Sequence, residues 1–161
     1  MKETLRRMQK KRAAGDGGFT LVELLVVVVI IGVLVAIAVP MYLNYRKGAA
    51  NKSAESDVRA AVSAAEQFYT ENGNKYPDNV KSTGPGQKIT FTLASAGAGV
   101  ITQVATVSPN NMLGFTNLGS GAYRICGTNE DGETVYVYSS LEGGSVKKAA
   151  SATFDTCLTS G

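Results

Sequence analysis

The residue types that carry most enzyme chemistry are scarce in this chain. Among its 161 residues there is no histidine, and Cys126 and Cys157 are the only cysteines. The lack of histidine removes the most frequent general base and metal ligand, together with the base that usually activates a serine or cysteine nucleophile. Two cysteines about thirty residues apart do not supply the ligands of a zinc finger. The composition therefore argues against an enzyme, and we predict no catalytic residue and no cofactor.

An acidic cluster is formed by Glu130, Asp131 and Glu133. Carboxylates are ligands for Ca²⁺, but these three lack the alternating oxygen ligands of a calcium-binding loop. A solvated turn is the favoured interpretation of the cluster, and no metal site is predicted.

One carboxylate, Glu23, lies inside a long apolar run over residues 19–39. At 1.5 Å per residue such a run covers roughly 31 Å, enough to cross the hydrocarbon core of a bilayer. A secretory signal peptide usually has a shorter apolar region followed by a small-x-small cleavage site. A plain membrane anchor fits the length but does not explain a carboxylate that costs a few kcal/mol in hydrocarbon. We therefore predict a functional role for Glu23 and a positively charged partner.

The segment before the apolar run, residues 1–18, is strongly basic. It holds six Lys or Arg residues against two acidic ones, a net charge of +4, whereas the whole chain carries +3. A nucleic-acid interpretation of the basic charge would rest on this segment alone. By the positive-inside rule, residues 1–18 remain in the cytoplasm and the chain after the apolar run is exported.

A second helical pattern follows at residues 51–72. Its apolar positions recur every three or four residues, which is typical of an amphipathic helix that docks on a sheet; they are Ala54, Val58, Ala61, Ala65 and Phe68. Asn72 and Gly73 supply a stop signal. We predict one helix from about residue 19 to residue 71, with a kink near residues 36–40 because Pro40 lacks a backbone donor. Gly32 is a further weak point in this helix.

Residues 77–161 show the short alternating runs of a small β-rich domain. Four strands are predicted, joined by loops at 77–88 and 94–99 and by a hairpin turn at 129–133; they cover 89–93, 100–107, 123–126 and 134–138. The predicted fold class is α+β, with a long N-terminal helix packed on a small antiparallel sheet. Export favours a Cys126–Cys157 disulfide worth on the order of 3 kcal/mol, and two reduced thiols in a core are the alternative.

The motif Gly-Phe-Thr-Leu-Val-Glu-Leu-Leu at 18–25, followed by the apolar run, Pro40 and Tyr42-Leu43-Asn44-Tyr45, resembles the class III signal of type IV pilins and type II secretion pseudopilins. The resemblance covers about residues 17–46. It implies that a prepilin peptidase cuts between Gly18 and Phe19 and methylates the new amine of Phe19. It also implies that this amine, on a neighbouring subunit, is the partner of Glu23, and that filaments of such subunits partly unwind between Gly32 and Pro40. The leader of eighteen residues is longer than is common in this family.

The resemblance also implies a type IV pilin fold and a division of the chain into three parts. Residues 1–18 are a cleaved leader, 19–50 a hydrophobic transmembrane and assembly helix, and 51–161 a globular head that begins with the amphipathic helix 51–72. The implied function is that of a major pilin, the structural subunit of a type IV pilus. The subunit would begin as a single-pass precursor in the cytoplasmic membrane. Assembly machinery with an inner-membrane ATPase motor would then build it into an extracellular helical homo-oligomer.

Two alternatives remain. The major pseudopilin of a type II secretion system would also be a filament subunit, but the chain has no Asp-Pro-Trp-Gly-like segment and no tryptophan, and its cysteine pair favours a pilin. A membrane-anchored enzyme or binding protein that merely shares the export signal is the other alternative, and no acid–base pair, phosphate loop or metal cluster supports it.

Overall fold

The first helix, α1, runs without interruption over Leu21–Glu71, 51 residues in all. The computed structural model describes residues 18–94, 101–150 and 153–160, so the basic leader up to residue 17 lies outside the described residues. The helix continues through Gly32 and Pro40, and the kink predicted near residues 36–40 stays a prediction. At the C-terminal end, Asn72 donates its backbone and side-chain N–H groups to the Phe68 carbonyl, at 3.0 and 2.9 Å. Gly73 then adopts a left-handed φ of 64°, which ends the helix as its sequence predicted.

In the described part of the chain, seven strands and a short helix follow α1. They are β1 (Val80–Lys81), β2 (Ile89–Phe91), β3 (Gln103–Ala105), β4 (Asn111–Gly119), β5 (Ala122–Asn129), β6 (Tyr136–Ser139), β7 (Lys147–Lys148) and α2 (Phe154–Ser160). Five of the strands form an antiparallel sheet in the order β1-β4-β5-β6-β7, and β2 and β3 form a separate ribbon. The longest pairing joins β4 to β5, from Asn111 opposite Asn129 to Gly119 opposite Ala122.

The chain divides into two units, one ending at Tyr42 and one beginning at Leu43. The described part of the first unit consists of the first half of α1 and the residues just before it. The second unit contains the rest of α1, both sheets and α2. We call residues 43–161 the head.

The core of the head forms where α1 packs on one face of the five-stranded sheet. The buried stripe Ala54, Val58, Ala61, Ala65 and Phe68 matches the stripe predicted from helical periodicity. Opposite it lie alternate residues of the strands, which point to one face of a sheet; they include Ile89, Phe91, Leu113, Phe115, Tyr123 and Ile125. The α+β class and the long helix on a small antiparallel sheet are thereby confirmed.

The other face of the sheet is covered in part by α2. Cys126 on β5 and Cys157 on α2 are joined by a disulfide, with Cα atoms 6.2 Å apart, so the bond predicted between the two cysteines is present. Phe154 and Leu158 pack around it. A Cβ at Gly114 would lie 2.6 Å from a Leu158 methyl, so α2 approaches closely because Gly114 has no side chain.

The sequence prediction of the head was incomplete. The strand predicted at 123–126 extends over β5, and the one at 134–138 appears as β6, but β3 is shorter than the predicted 100–107. The largest omission is β4, which holds a central position between β1 and β5. Strand β1 interrupts the loop predicted at 77–88, and all but the first residue of the loop predicted at 94–99 lies outside the described residues.

Candidate functional site

The N-terminal end of α1 brings together three of the residues that the sequence singled out. Gly18 and Phe19 precede the helix, and the Phe19 side chain is 81% exposed. One Glu23 carboxylate oxygen, Oε2, accepts hydrogen bonds from the backbone N–H of Thr20 at 2.9 Å and from its hydroxyl at 2.8 Å. The Thr20 Oγ1 atom in turn accepts a hydrogen bond from the Glu23 N–H at 3.2 Å.

This reciprocal arrangement is a capping box, with Thr20 at the N-cap and Glu23 three residues later. The signal is present in the sequence as Thr-Leu-Val-Glu, but the role predicted for Glu23 rested on its charge alone. Glu23 therefore has a neutral local partner in the single chain, in addition to the cationic partner predicted for it. Phe19 is joined to Gly18 by a peptide bond in this chain, so it offers no free amine.

The first half of α1 has an apolar surface that nothing in the described chain covers. Every residue from 18 to 49 is exposed. The large apolar side chains between Leu21 and Leu43 are each 48% exposed or more. By length and composition this is one helix that could cross a membrane. Soluble proteins rarely expose an apolar surface of this extent, so lipid or other protein chains must cover it.

Gly32 and Pro40 lie within this exposed surface. No heavy atom lies within 4 Å of a Cβ built at Gly32, so close packing within the chain does not require a glycine there. The requirement for small size, if there is one, would have to come from a neighbouring molecule or from backbone flexibility.

Two ion pairs join α1 to the turn between β5 and β6. Arg46 Nη2 lies 3.1 Å from Asp131 Oδ2, and Lys47 Nζ contacts a Glu133 carboxylate oxygen. We call the three carboxylates Glu130, Asp131 and Glu133 the acidic turn. Within the described residues, no group of three or more Cys, Asp and Glu side chains is arranged to hold a metal ion. No local sequence pattern predicted that Arg46 and Lys47 are the neighbours of the acidic turn.

A buried polar network fixes α1 to the start of β4. Asp57 accepts hydrogen bonds from the Ser108 N–H at 2.6 Å, from the Ser108 hydroxyl at 2.9 Å and from the Asn111 amide at 2.6 Å. Asn111 also donates to the Ser53 hydroxyl at 3.0 Å. Both Asp57 oxygens are thus occupied by donors, and the network positions the head on the helix rather than offering a cation site.

Glu66 ties the far end of α1 to two tyrosines. It accepts hydrogen bonds from the Tyr123 hydroxyl at 2.6 Å and from the Tyr76 hydroxyl at 3.1 Å. Burial, followed by the neighbouring Glu66 charge, raises the pKa of Tyr76 to about 12. Burial and the Glu66 hydrogen bond raise the pKa of Tyr123 as well. Both phenols are therefore neutral donors at neutral pH, and the cluster contributes structure rather than acid–base chemistry.

Comparisons with known proteins converge on the N-terminal end of the chain. The family model described as the prokaryotic N-terminal methylation motif matches residues 14–39. The type IV major pilin protein PilA of Myxococcus xanthus is 36% identical over 67 residues, 42% of this chain and 30% of that protein. The type II secretion system core protein G of Aeromonas hydrophila is 39% identical over 70 residues, 44% of this chain and 46% of that protein. The N-terminal part of the chain is therefore similar to type IV pilins and type II secretion pseudopilins.

A further relative, a fimbrial protein of Pseudomonas aeruginosa, is 48% identical over 54 residues, 34% of this chain and 35% of that protein. The chain thus spans less than half the length of each of these three relatives. The resemblance to type IV pilins and pseudopilins that the motif at 18–25 predicted is confirmed for this N-terminal part of the chain. The matched motif contains Gly18, Phe19 and Glu23, and their individual roles stay predictions.

Proposed function

We propose that the chain is the structural subunit of a type IV pilus and polymerises through the apolar first half of α1. The observation that carries this proposal is the exposed apolar surface of that helix, in a chain with a methylation motif at residues 14–39. A surface that lipid covers before assembly can be covered by other copies of the same helix afterwards. Copies of the same helix are thus sufficient to cover the apolar surface of α1. The relatives of this chain also include major pilins.

Processing is the first step of the proposed pathway. A prepilin peptidase removes residues 1–18 by cutting after Gly18 and then methylates Phe19. The precursor waits in the cytoplasmic membrane as a single-pass protein, and an assembly machine with an ATPase motor moves it into the extracellular filament. The chain would act in three parts: the leader 1–18, the assembly helix 19–50 and the globular part 51–161.

Glu23 is proposed to select the docking position of each new subunit. The cut at Gly18 creates a positive amine on Phe19 four residues from Glu23. In a low-dielectric helix bundle, this amine and the Glu23 carboxylate of a neighbouring subunit attract each other strongly, whereas either charge alone is penalised. The capping hydrogen bonds from Thr20 satisfy part of the carboxylate until the neighbour arrives.

The major pseudopilin of a type II secretion system is the second candidate. The match to core protein G of Aeromonas hydrophila favours it, while the Cys126–Cys157 disulfide and the lack of tryptophan favour the pilin. Electron microscopy of sheared surface material, with intact-mass measurement of the fibres, separates the two. Abundant long fibres made of a chain that begins at Phe19 support the pilus. Absence of fibres together with a secretion defect in the deletion strain supports the pseudopilus, and fibres that retain residues 1–18 contradict the proposed processing.

A further inference from the structure

Arg46 and Lys47 follow the apolar part of α1 within one helical turn of Leu43. If the chain is exported as proposed, these cations lie on the outer side of the membrane, where the positive-inside rule does not favour them. Tyr45, which precedes them, is 79% exposed, and aromatic side chains with a polar end prefer the headgroup region of a bilayer. Cations at this depth attract the phosphates of anionic lipids.

In the structure, both cations are instead covered by carboxylates of the same chain. Arg46 pairs with Asp131 and Lys47 with Glu133. All four side chains are partly open to water, with exposed fractions of 57% and 46% for the cations and 42% and 74% for the acids. Exposed ion pairs of this kind add little to stability, so stability alone does not account for two of them side by side.

The acidic turn is held in place by contacts that do not involve these ion pairs. Asn51, one turn further along α1, accepts a hydrogen bond from the Thr134 N–H at 3.2 Å. The same Asn51 oxygen would clash with a Cβ at Gly132, so only a glycine lets the turn come this close to the helix. The Asn129 side chain also accepts a hydrogen bond from the Asp131 N–H at 2.8 Å. The carboxylates are thus carried to the cations by a turn that is fixed independently.

We propose that Arg46 and Lys47 form a binding surface for the phosphate headgroups of an anionic leaflet, and that the acidic turn covers this surface. Two cations meet two carboxylates there, Asp131 and Glu133, so the covered surface has no excess positive charge and does not accumulate anionic lipid. Uncovering the cations turns the same surface into a lipid-binding one. The partner is lipid because the cations continue directly from the membrane-spanning part of α1.

The consequence for assembly rests on the proposed function. A subunit that leaves the membrane for a filament must give up every headgroup bound at its outer end. With Asp131 and Glu133 already in place of the phosphates, Arg46 and Lys47 leave without losing their counter-charges. The acidic turn therefore lowers the retention of the subunit by an anionic leaflet.

The test measures lipid preference around the full chain in vesicles that contain phosphatidylcholine and phosphatidylglycerol. Electron spin resonance of spin-labelled lipids gives the relative association constant of phosphatidylglycerol over phosphatidylcholine at the protein surface. The variant Asp131→Asn/Glu133→Gln uncovers the cations and keeps the shape of both side chains. We expect its preference for phosphatidylglycerol to rise at least roughly fivefold over wild type, the factor for one cation near an anionic surface. Added salt should reduce the rise.

The matched control is Glu142→Gln/Asp155→Asn, which removes two carboxylates that pair with Lys147 and Lys81 elsewhere on the head. Its net charge equals that of the first variant, and its preference should stay within about twofold of wild type because Arg46 and Lys47 keep their own carboxylate partners in this control. Adding Arg46→Gln/Lys47→Gln to the first variant should return the preference to the wild-type value. An intact Cys126–Cys157 bond and an unchanged circular dichroism spectrum show that each variant is folded.

The proposal is overturned if Asp131→Asn/Glu133→Gln leaves the lipid preference unchanged, or if the control raises it equally. Neither result depends on whether filaments form, because the measurement is made on the membrane-inserted chain. Conversely, a wild-type strain without fibres would remove the pilus proposal and leave the lipid result standing.

Discussion

Gly127 lies at the closest approach between α1 and the sheet, and its replacement by alanine tests the packing of the head quantitatively. A Cβ at this position would lie 2.5 Å from a Val58 methyl and 3.1 Å from a Leu113 methyl. Strand β5 cannot move away, because Gly127 is paired with Leu113 on one side and Tyr136 on the other. Val58 is also stiff, since a β-branched side chain has one strongly preferred rotamer in a helix.

We expect Gly127→Ala to lower the free energy of unfolding by about 1–3 kcal/mol, the usual cost of an extra methyl group in a packed core. Val58→Ala should also destabilise the head, because it leaves a cavity under the sheet. In the double variant the new methyl occupies part of that cavity. Its loss of stability should therefore be smaller than the sum of the two single losses by about 1–2 kcal/mol.

Guanidinium unfolding of the oxidised full chain in detergent micelles, followed by circular dichroism, supplies these free energies. Gly48→Ala is the matched control on the same helix, because no heavy atom lies within 4 Å of its added Cβ. It should stabilise the chain by about 0.5–1 kcal/mol through helix propensity alone. Strictly additive losses in the double variant would show that Val58 is not what Gly127 accommodates, and the packing argument would be refuted.

Three further predictions concern Glu23, the Cys126–Cys157 disulfide and Tyr76. The Glu23→Ala variant should insert into the membrane and be cleaved, but it should yield few fibres in sheared fractions. Thr20→Ala loses only the helix cap, about 1 kcal/mol, and should still assemble. A normal fibre yield from Glu23→Ala would show that the charge of Glu23 is not needed. Reduction of the Cys126–Cys157 bond, which spans 31 residues, should lower the free energy of unfolding in guanidinium by on the order of 3 kcal/mol. Equal stability with and without reductant would contradict this prediction. The control variant Cys126→Ala/Cys157→Ala should not respond to reductant. Because the fold raises the pKa of Tyr76 from 10 to about 12, its contribution to stability is complete below pH 10 and is lost as the pH rises from 10 to 12; melting curves should show a smaller loss over this range in Tyr76→Phe, and an equal loss would assign the effect to other groups such as Tyr123.

The helix was predictable from the sequence because its signals are local. Its apolar stripe, its stop at Asn72 and Gly73 and its membrane-spanning length all follow from residue spacing. The pairing of Cys126 with Cys157 was predictable because the chain offers no other cysteine. The N-cap at Thr20 was equally predictable, because Thr20 and Glu23 have the spacing of a capping box. The prediction for Glu23 considered only its charge.

Strand β4 could not be predicted because Gly114 is explained only by packing against Leu158, which is distant in sequence. Gly114 weakens the local strand pattern, yet it is needed so that Leu158 of α2 can lie against the sheet. The same holds for Gly127, which must be small because the Val58 side chain, about seventy residues earlier in the sequence, packs against it. Arg46 and Lys47 likewise pair with carboxylates 85 and 86 residues away, and local sequence patterns do not predict contacts at that separation. The turn from β4 into β5 at the Gly-Ser-Gly sequence 119–121 was not among the predicted turns; Ser120 and Gly121 adopt positive φ there.

The two outer strands of the five-stranded sheet bear on how the protein can associate. β1 has only two residues, and β7 consists of Lys147 and Lys148, both exposed. Short or lysine-bearing edges discourage another chain from adding a strand, which is the usual route by which sheet proteins aggregate. In the filament proposed above, edges of this kind would keep neighbouring heads from pairing through the five-stranded sheet. Contacts between subunits would then be left to the apolar helix.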